Sequence, residues 1–175
     1  MDEFRWYRPK TLAPDPFARA VADCRTVCEW LAPYLILRGP AGTGVPLFSE
    51  RQWVSFNGDG SALGAVEPLV PYEWPVKDRW VPSATYEVYC NTYAMDMAFL
   101  IERQSNALDM YGGQHCTTNN HPYTLAITAC LVVFKHCFPK VFLIEADSTE
   151  QRYFLDGMIA CHLVLGYGLD FACGG

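Results

Sequence analysis

No long run of lysine or arginine occurs in this chain. Its 175 residues carry 13 Lys and Arg against 19 Asp and Glu, a formal net charge of −6. Such a balance is unsuited to gripping a phosphate backbone, so nucleic acid is not an expected partner. Long apolar runs are missing as well. The best candidate, Leu125 to Phe134, falls well short of the ~20 residues that cross a bilayer, and Lys135, His136, Pro139 and Lys140 follow at once. No membrane association is expected. Met1-Asp2-Glu3 opens the chain with acids and no apolar stretch follows, which reads as the absence of a secretory signal. There is no C-x-x-C or H-x-x-x-H spacing, so neither a metal site nor a cofactor is expected. Repeats, low-complexity tracts and linker-like charge runs are also lacking, and residues 1–175 read as one domain.

What is present is apolar and aromatic: 51% of the residues are hydrophobic and 18% charged, enough to build a core and too apolar for general disorder. Eight cysteines invite a disulfide framework, but Cys24 and Cys28 stand one turn apart on an expected helix, and Cys130, Cys137 and Cys161 fall in apolar helical stretches. There a thiol packs as a small hydrophobe. Free thiols in a reducing cytoplasm are the consistent reading.

Three helices organise the pattern, and the expected class is α+β, a small sheet with hairpins packed against them. The first, about 15–32, takes Asp15-Pro16 as its start and a stripe of Phe17, Val21, Cys24, Cys28 and Leu31 as its buried face. The second, about 122–137, begins at His121-Pro122-Tyr123 and has no polar face before Lys135, as in a helix covered on most sides. The third, about 148–165, opens on Ser148-Thr149-Glu150-Gln151, a capping-box spacing. It places Phe154, Met158, Cys161 and Leu165 on one stripe and closes at Gly166. Between the last two, Val141 to Ile144 runs without alternation, as a strand buried on both faces does. Residues 1–13 read as an irregular arm, Tyr34 to Leu37 as a strand, and Gln52 to Phe56 as the first half of a hairpin that returns near 62–69. Residues 94–108 fit either a strand or a short helix.

Several stretches offer chemistry. Gly39-Pro40-Ala41-Gly42-Thr43-Gly44 has the glycines of a phosphate loop, but Val45 and Pro46 stand where the lysine and hydroxyl residue belong, so an ordinary connection is expected. Residues 114–121, read as a loop, gather His115, Cys116 and His121 before a helix. Cys116 as nucleophile with either imidazole as base is the enzymatic alternative; capping of the helix by the same polar groups is the structural one. His136 and His162 read as edge or surface residues. From Val70 to Tyr93 the chain is rich in proline and aromatics. Trp74, Trp80 and Tyr86 there are candidate partner-binding anchors, though most aromatics in a domain are simply buried. Between Glu145 and Asp170 five acids (Glu145, Asp147, Glu150, Asp156 and Asp170) face one base, Arg152. Such a face is either solvated or complementary to a basic protein.

The run Thr117 to Gly168 combines a Thr-x-x-x-x-Pro-Tyr entry, an apolar helix ending Lys-His, a short strand, an acidic turn and a helix ending Leu-Gly-Tyr-Gly. It resembles small uncharacterised bacterial cytosolic domains and the immunity proteins of bacterial toxin systems. The resemblance implies a non-catalytic binding protein that neutralises a basic toxin or effector in the bacterial cytoplasm, and it transfers no active-site residue. A small thiol–imidazole enzyme and a structural, phage-type assembly protein are the alternatives.

Overall fold

The structure, a computed structural model, describes residues 3–32, 35–59, 97–118, 123–145 and 151–174, with the backbone alone for 151–153. In chain order the elements are β1 (Glu3–Tyr7), α1 (Pro14–Leu31), β2 (Leu47–Ser49), β3 (Trp53–Phe56), β4 (Phe99–Glu102), β5 (Gly113–Thr117), α2 (Thr124–Cys137), β6 (Leu143–Glu145) and α3 (Gln151–Leu165). They form an α+β fold with two antiparallel three-stranded sheets, ordered β5-β1-β6 and β2-β3-β4.

Helix α2 is the innermost element. Every residue from Thr124 to Phe134 is buried, which accounts for the missing polar face in its sequence. Helix α1 lays the expected stripe on it: Phe17, Val21, Cys24, Cys28 and Leu31 are buried, and the Phe17 and Phe134 rings lie 5.8 Å apart. The helix opens on Pro14 after Ala13, with no side-chain cap, so Asp15 lies inside the first turn rather than at its N-cap. Helix α3 buries Phe154 and Cys161 of its expected stripe and packs Met158 and Leu165 partly against the core, but its inward face is wider than that stripe. Asp156, Gly157, Ala160 and Cys161 are buried together with Phe154 and Ile159, while Met158, Leu165 and His162 stand nearer solvent. Gly157 is the cause. A Cβ built there would lie 2.6 Å from the Ala129 nitrogen and 2.7 Å from the Thr128 carbonyl carbon, so α3 crosses α2 backbone to backbone at this point.

The first strand is the main departure from expectation. Residues 3–7 are not an arm; β1 is the middle strand of its sheet, paired with β5 and β6. Alternation drives Phe4 and Trp6 inward, Phe4 against the ring of Phe154 and Trp6 against that of Phe99. Phe99 meets Phe56 at 5.0 Å, so Trp6, Phe99 and Phe56 run as one aromatic chain from the first sheet into the second. Arg8 locks the same junction. Its buried guanidinium donates to the carbonyls of Pro9, Lys10, Arg103 and Glu102, and burial pulls its pKa down to about 10, which leaves it charged at neutral pH. Strand β6 corrects a second reading: Ile144 is buried, Leu143 and Glu145 are exposed, so it is an outer strand with alternating faces.

Elsewhere the 94–108 ambiguity resolves as strand β4, and Leu35 to Leu37 form no strand, although Arg38 and Asn57 exchange backbone hydrogen bonds. Strand β3 pairs with the preceding β2 and with β4. The return strand expected near 62–69 lies outside the described residues, as do 119–122 and 146–150, which hold the expected starts of α2 and α3.

The Gly157 crossing sets a testable sign. Glycine to alanine within a helix normally gains about 1 kcal/mol. Here the added methyl meets backbone that cannot step aside, an overpacking cost of about 1–3 kcal/mol or more. Gly157→Ala is therefore expected to lower the urea midpoint, and an unchanged or raised midpoint would contradict the close crossing.

Candidate functional site

The outward positions of β1 are Glu3, Arg5 and Tyr7, and the register fixes their neighbours. Arg5 stands opposite His115 on β5 and Glu145 on β6, Glu3 opposite Thr117, and Tyr7 opposite Gly113 and Leu143. Arg5, His115, Leu143 and Glu145 are exposed, while Glu3, Tyr7 and Thr117 are half-buried. The result is a sheet face with one transverse row, His115-Arg5-Glu145, whose ends are two strand spacings apart, about 10 Å. Hydrogen bonds tie it down: Arg5 donates to Glu3 at 2.7 Å and Tyr7 Oη to Glu145 at 3.0 Å. The Glu3 contact pushes the guanidinium pKa up, and the same bond, more than its Coulomb attraction, draws the Glu3 carboxyl below its usual range.

At the Tyr7 end of this face the chain makes a tight turn into β5. The Asp109 carboxylate accepts from the Tyr111 amide at 2.8 Å and the Gly113 amide at 2.7 Å; the Gly112 amide returns to the Asp109 carbonyl at 3.1 Å. Gly112 has φ of 81°, and a Cβ there would sit 2.8 Å from the Arg8 carbonyl oxygen, so glycine is required twice over. The tip thus held presents Met110 and Tyr111, 85% and 77% exposed, to solvent.

The residues singled out from the sequence distribute unevenly. His115 and Glu145 come onto one face, with Arg5 between them. Cys116 does not join them. Residues 113–117 are a strand and not a loop, so alternation sends Cys116 to the opposite, inner face, where it is fully buried with Sγ 3.3 Å from the Met97 carbonyl. Adjacent positions on a strand cannot act as a nucleophile and its base. Asp156 is corrected too: it is 2% exposed, beside the α2 crossing, and so does not belong to a solvated acidic face. His121, Trp74, Trp80, Tyr86, Asp147 and Glu150 lie outside the described residues. Among the described residues no group of three or more His, Cys, Asp or Glu is placed to hold a metal ion, and no helix is long and apolar enough to cross a membrane. In the 39–44 turn, Gly39 bonds to Thr43 and Gly42 to Gly39, so these amides are spent internally, as in an ordinary connection.

Arg5, Tyr7, Met110 and Tyr111 were missed in reading the sequence. For the first two a signal exists: Glu3-Phe4-Arg5-Trp6-Tyr7 alternates polar and apolar over four residues. A second polar constellation has no local signal at all. The Tyr167 hydroxyl donates to Asp23 at 2.8 Å, and His136 stacks on the Tyr167 ring at 3.7 Å, next to a concavity of about 480 Å³ lined by Lys135, Asp170 and Cys173. Burial raises the Tyr167 pKa, and its bond to Asp23 adds to the rise, so it is a neutral donor fixing α1 to the segment after α3. No family model, curated protein or solved structure matches the chain.

Asp109 gives this surface a pH dependence. The amides of Gly113 and then Tyr111 hold its carboxyl below the ordinary value. A depressed folded-state pKa means that its contribution is present above the unfolded value of about 3.9 and lost as pH falls through the lower, folded one. Hydrogen-exchange protection factors at Tyr111 and Gly113 should therefore hold down to about pH 4 and fall below it, and Asp109→Ala should abolish them at neutral pH. Unchanged protection in that variant would contradict the turn.

Proposed function

We propose that this chain is a non-catalytic binding protein of the immunity or inhibitor kind. It neutralises a basic bacterial toxin or effector in the cytoplasm by docking it on the outer face of the β5-β1-β6 sheet, with Met110 and Tyr111 as anchors. The observation that carries the reading is the pairing of a tethered, solvent-presented Met-Tyr tip with a sheet face bearing Tyr7 and Glu145. Tyrosine and methionine are enriched where interfaces concentrate their energy. Holding them in place beforehand lowers the ordering cost of association. The −6 charge and the carboxylate of Glu145 at the face suit a basic partner, since complementary charge steers encounter.

The competing enzymatic reading takes Cys116 as nucleophile with His115 or His121 as base; the strand turns Cys116 inward, away from His115, and His121 lies outside the described residues. The acidic 145–156 stretch contributes Glu145 alone to the described surface. Reversing Asp156 would place a lysine in the core and test folding rather than binding.

The test is co-expression with the product of the neighbouring reading frame, followed by purification of the complex and measurement of its affinity. Tyr111→Ala should weaken the complex about tenfold or more. Glu145→Lys should slow association, most strongly at low salt. A complex indifferent to both substitutions and to salt would place the interface elsewhere. Self-association of the chain through this same face, with no second protein, would favour the assembly reading.

A further inference from the structure

Away from the sheet face, the three helices bring four thiols into one part of the core. Cys24 and Cys28 stand one turn apart on α1, Cys130 lies on α2 and Cys161 on α3, and all four are buried. Cys24 Sγ points at the Cys130 carbonyl at 3.9 Å, and Cys161 Sγ at the Ala129 carbonyl at 3.4 Å. These two behave as small hydrophobes with a weak donor. Cys28 combines two independent features. Its Sγ lies 3.8 Å from Cys130 Sγ, at contact distance from a second thiol. It also lines a concavity of about 620 Å³ walled by Ala32, Leu35, Leu37, Pro46 and Phe48. Arg25, one turn earlier on the same face of α1, and Arg38 line that concavity too. Glu29 lines it beside them, so the charge around the Cys28 sulfur is mixed.

We propose that Cys28 and Cys130 are a redox-active dithiol, addressed through this concavity by hydroperoxides and closed to a disulfide between α1 and α2. The proposal is independent of the docking surface. In the first step the Cys28 sulfur attacks the terminal hydroxyl oxygen of the peroxide; the O–O bond breaks, the thiol proton leaves with the departing oxygen as water from hydrogen peroxide or as an alcohol from an organic hydroperoxide, and Cys28 becomes a sulfenic acid. In the second step Cys130 sulfur attacks the Cys28 sulfur, the S–O bond breaks, and the hydroxyl takes up the Cys130 proton and leaves as water. Two electrons pass from the thiols to the peroxide. The two sulfurs must close from 3.8 Å to about 2.05 Å.

The hydrogen bond with Cys130 and then burial hold the Cys28 thiol protonated, and burial chiefly holds Cys130 so, with both pKa values well above the ordinary range, which opposes the reaction. The contact between the thiols and the access through the concavity set the site of reaction rather than its speed. Cys24, whose pKa burial raises to about 11, lies on the same helix without lining the concavity and serves as the internal control.

The test is hydrogen peroxide treatment of the native, reduced chain, followed by alkylation in denaturant and peptide mapping by mass spectrometry. The expected product is a Cys28–Cys130 cross-linked peptide pair, two hydrogens lighter than the separate peptides and restored by dithiothreitol, with Cys24 and Cys161 recovered as thiols. Cys130→Ser should leave a Cys28 sulfenic acid that dimedone traps, and Cys28→Ser should abolish the cross-link. Should either variant fail to fold, the map of the parent chain decides alone. Recovery of Cys28 and Cys130 as thiols after the half-buried Cys137 has been oxidised would overturn the proposal, as would a cross-link joining any other pair.

Discussion

Burial of helix α2 on every side is the constraint from which the rest follows. Eleven consecutive residues from Thr124 to Phe134 are removed from water, and each fully buried apolar side chain among them is worth about 1.5–3 kcal/mol. No single neighbour can cover such a helix. Helix α1 takes one flank through Phe17, and α3 takes another and gains its close approach by having no side chain at Gly157. Phe142, ahead of β6, stacks on Phe134 at 5.6 Å. The sheet that β6 joins is then held by Phe4 and Trp6 of β1, whose side chains reach the same core.

That arrangement ties the outer sheet face to the core. Because Phe4 and Trp6 are fixed from below, Arg5 and Tyr7 are fixed above, and the row His115-Arg5-Glu145 inherits its spacing from the ladder. Arg8 ends the strand and binds carbonyls near the end of β4, so the first sheet cannot slide relative to the second without leaving a guanidinium charge without its acceptors. The Asp109 turn hangs from the same point, through the Arg8 amide bonded to Gly112. A partner pressing on Met110 and Tyr111 would therefore meet a surface braced by the interior.

The sequence made the helices legible because their signals are local. The α1 stripe, the uniformly apolar α2 and the glycine after α3 all act within a few residues, and each was recovered. The strands were harder because their partners are remote. Strand β1 pairs with residues more than a hundred positions away, and five residues with one arginine and three aromatics read equally well as an arm until β5 and β6 are in place. For α3 the spacing finds Phe154 and Cys161 but misses Gly157, which, with no side chain to count, decides where another helix can approach. The loop expected from residue 114 is a strand as far as Thr117 for the same kind of reason. Proximity in sequence suggested a thiol beside an imidazole, and a strand pleat puts consecutive residues on opposite faces.

The account rests on β1 being an internal strand, and amide hydrogen exchange observed by NMR tests this most directly. Paired on both sides, the amides of Arg5 to Tyr7 should exchange as slowly as those of α2, opening only with the whole fold. Exchange at these positions near the rate of an unstructured peptide, with α2 still protected, would make residues 3–7 an arm and dissolve the surface built on them.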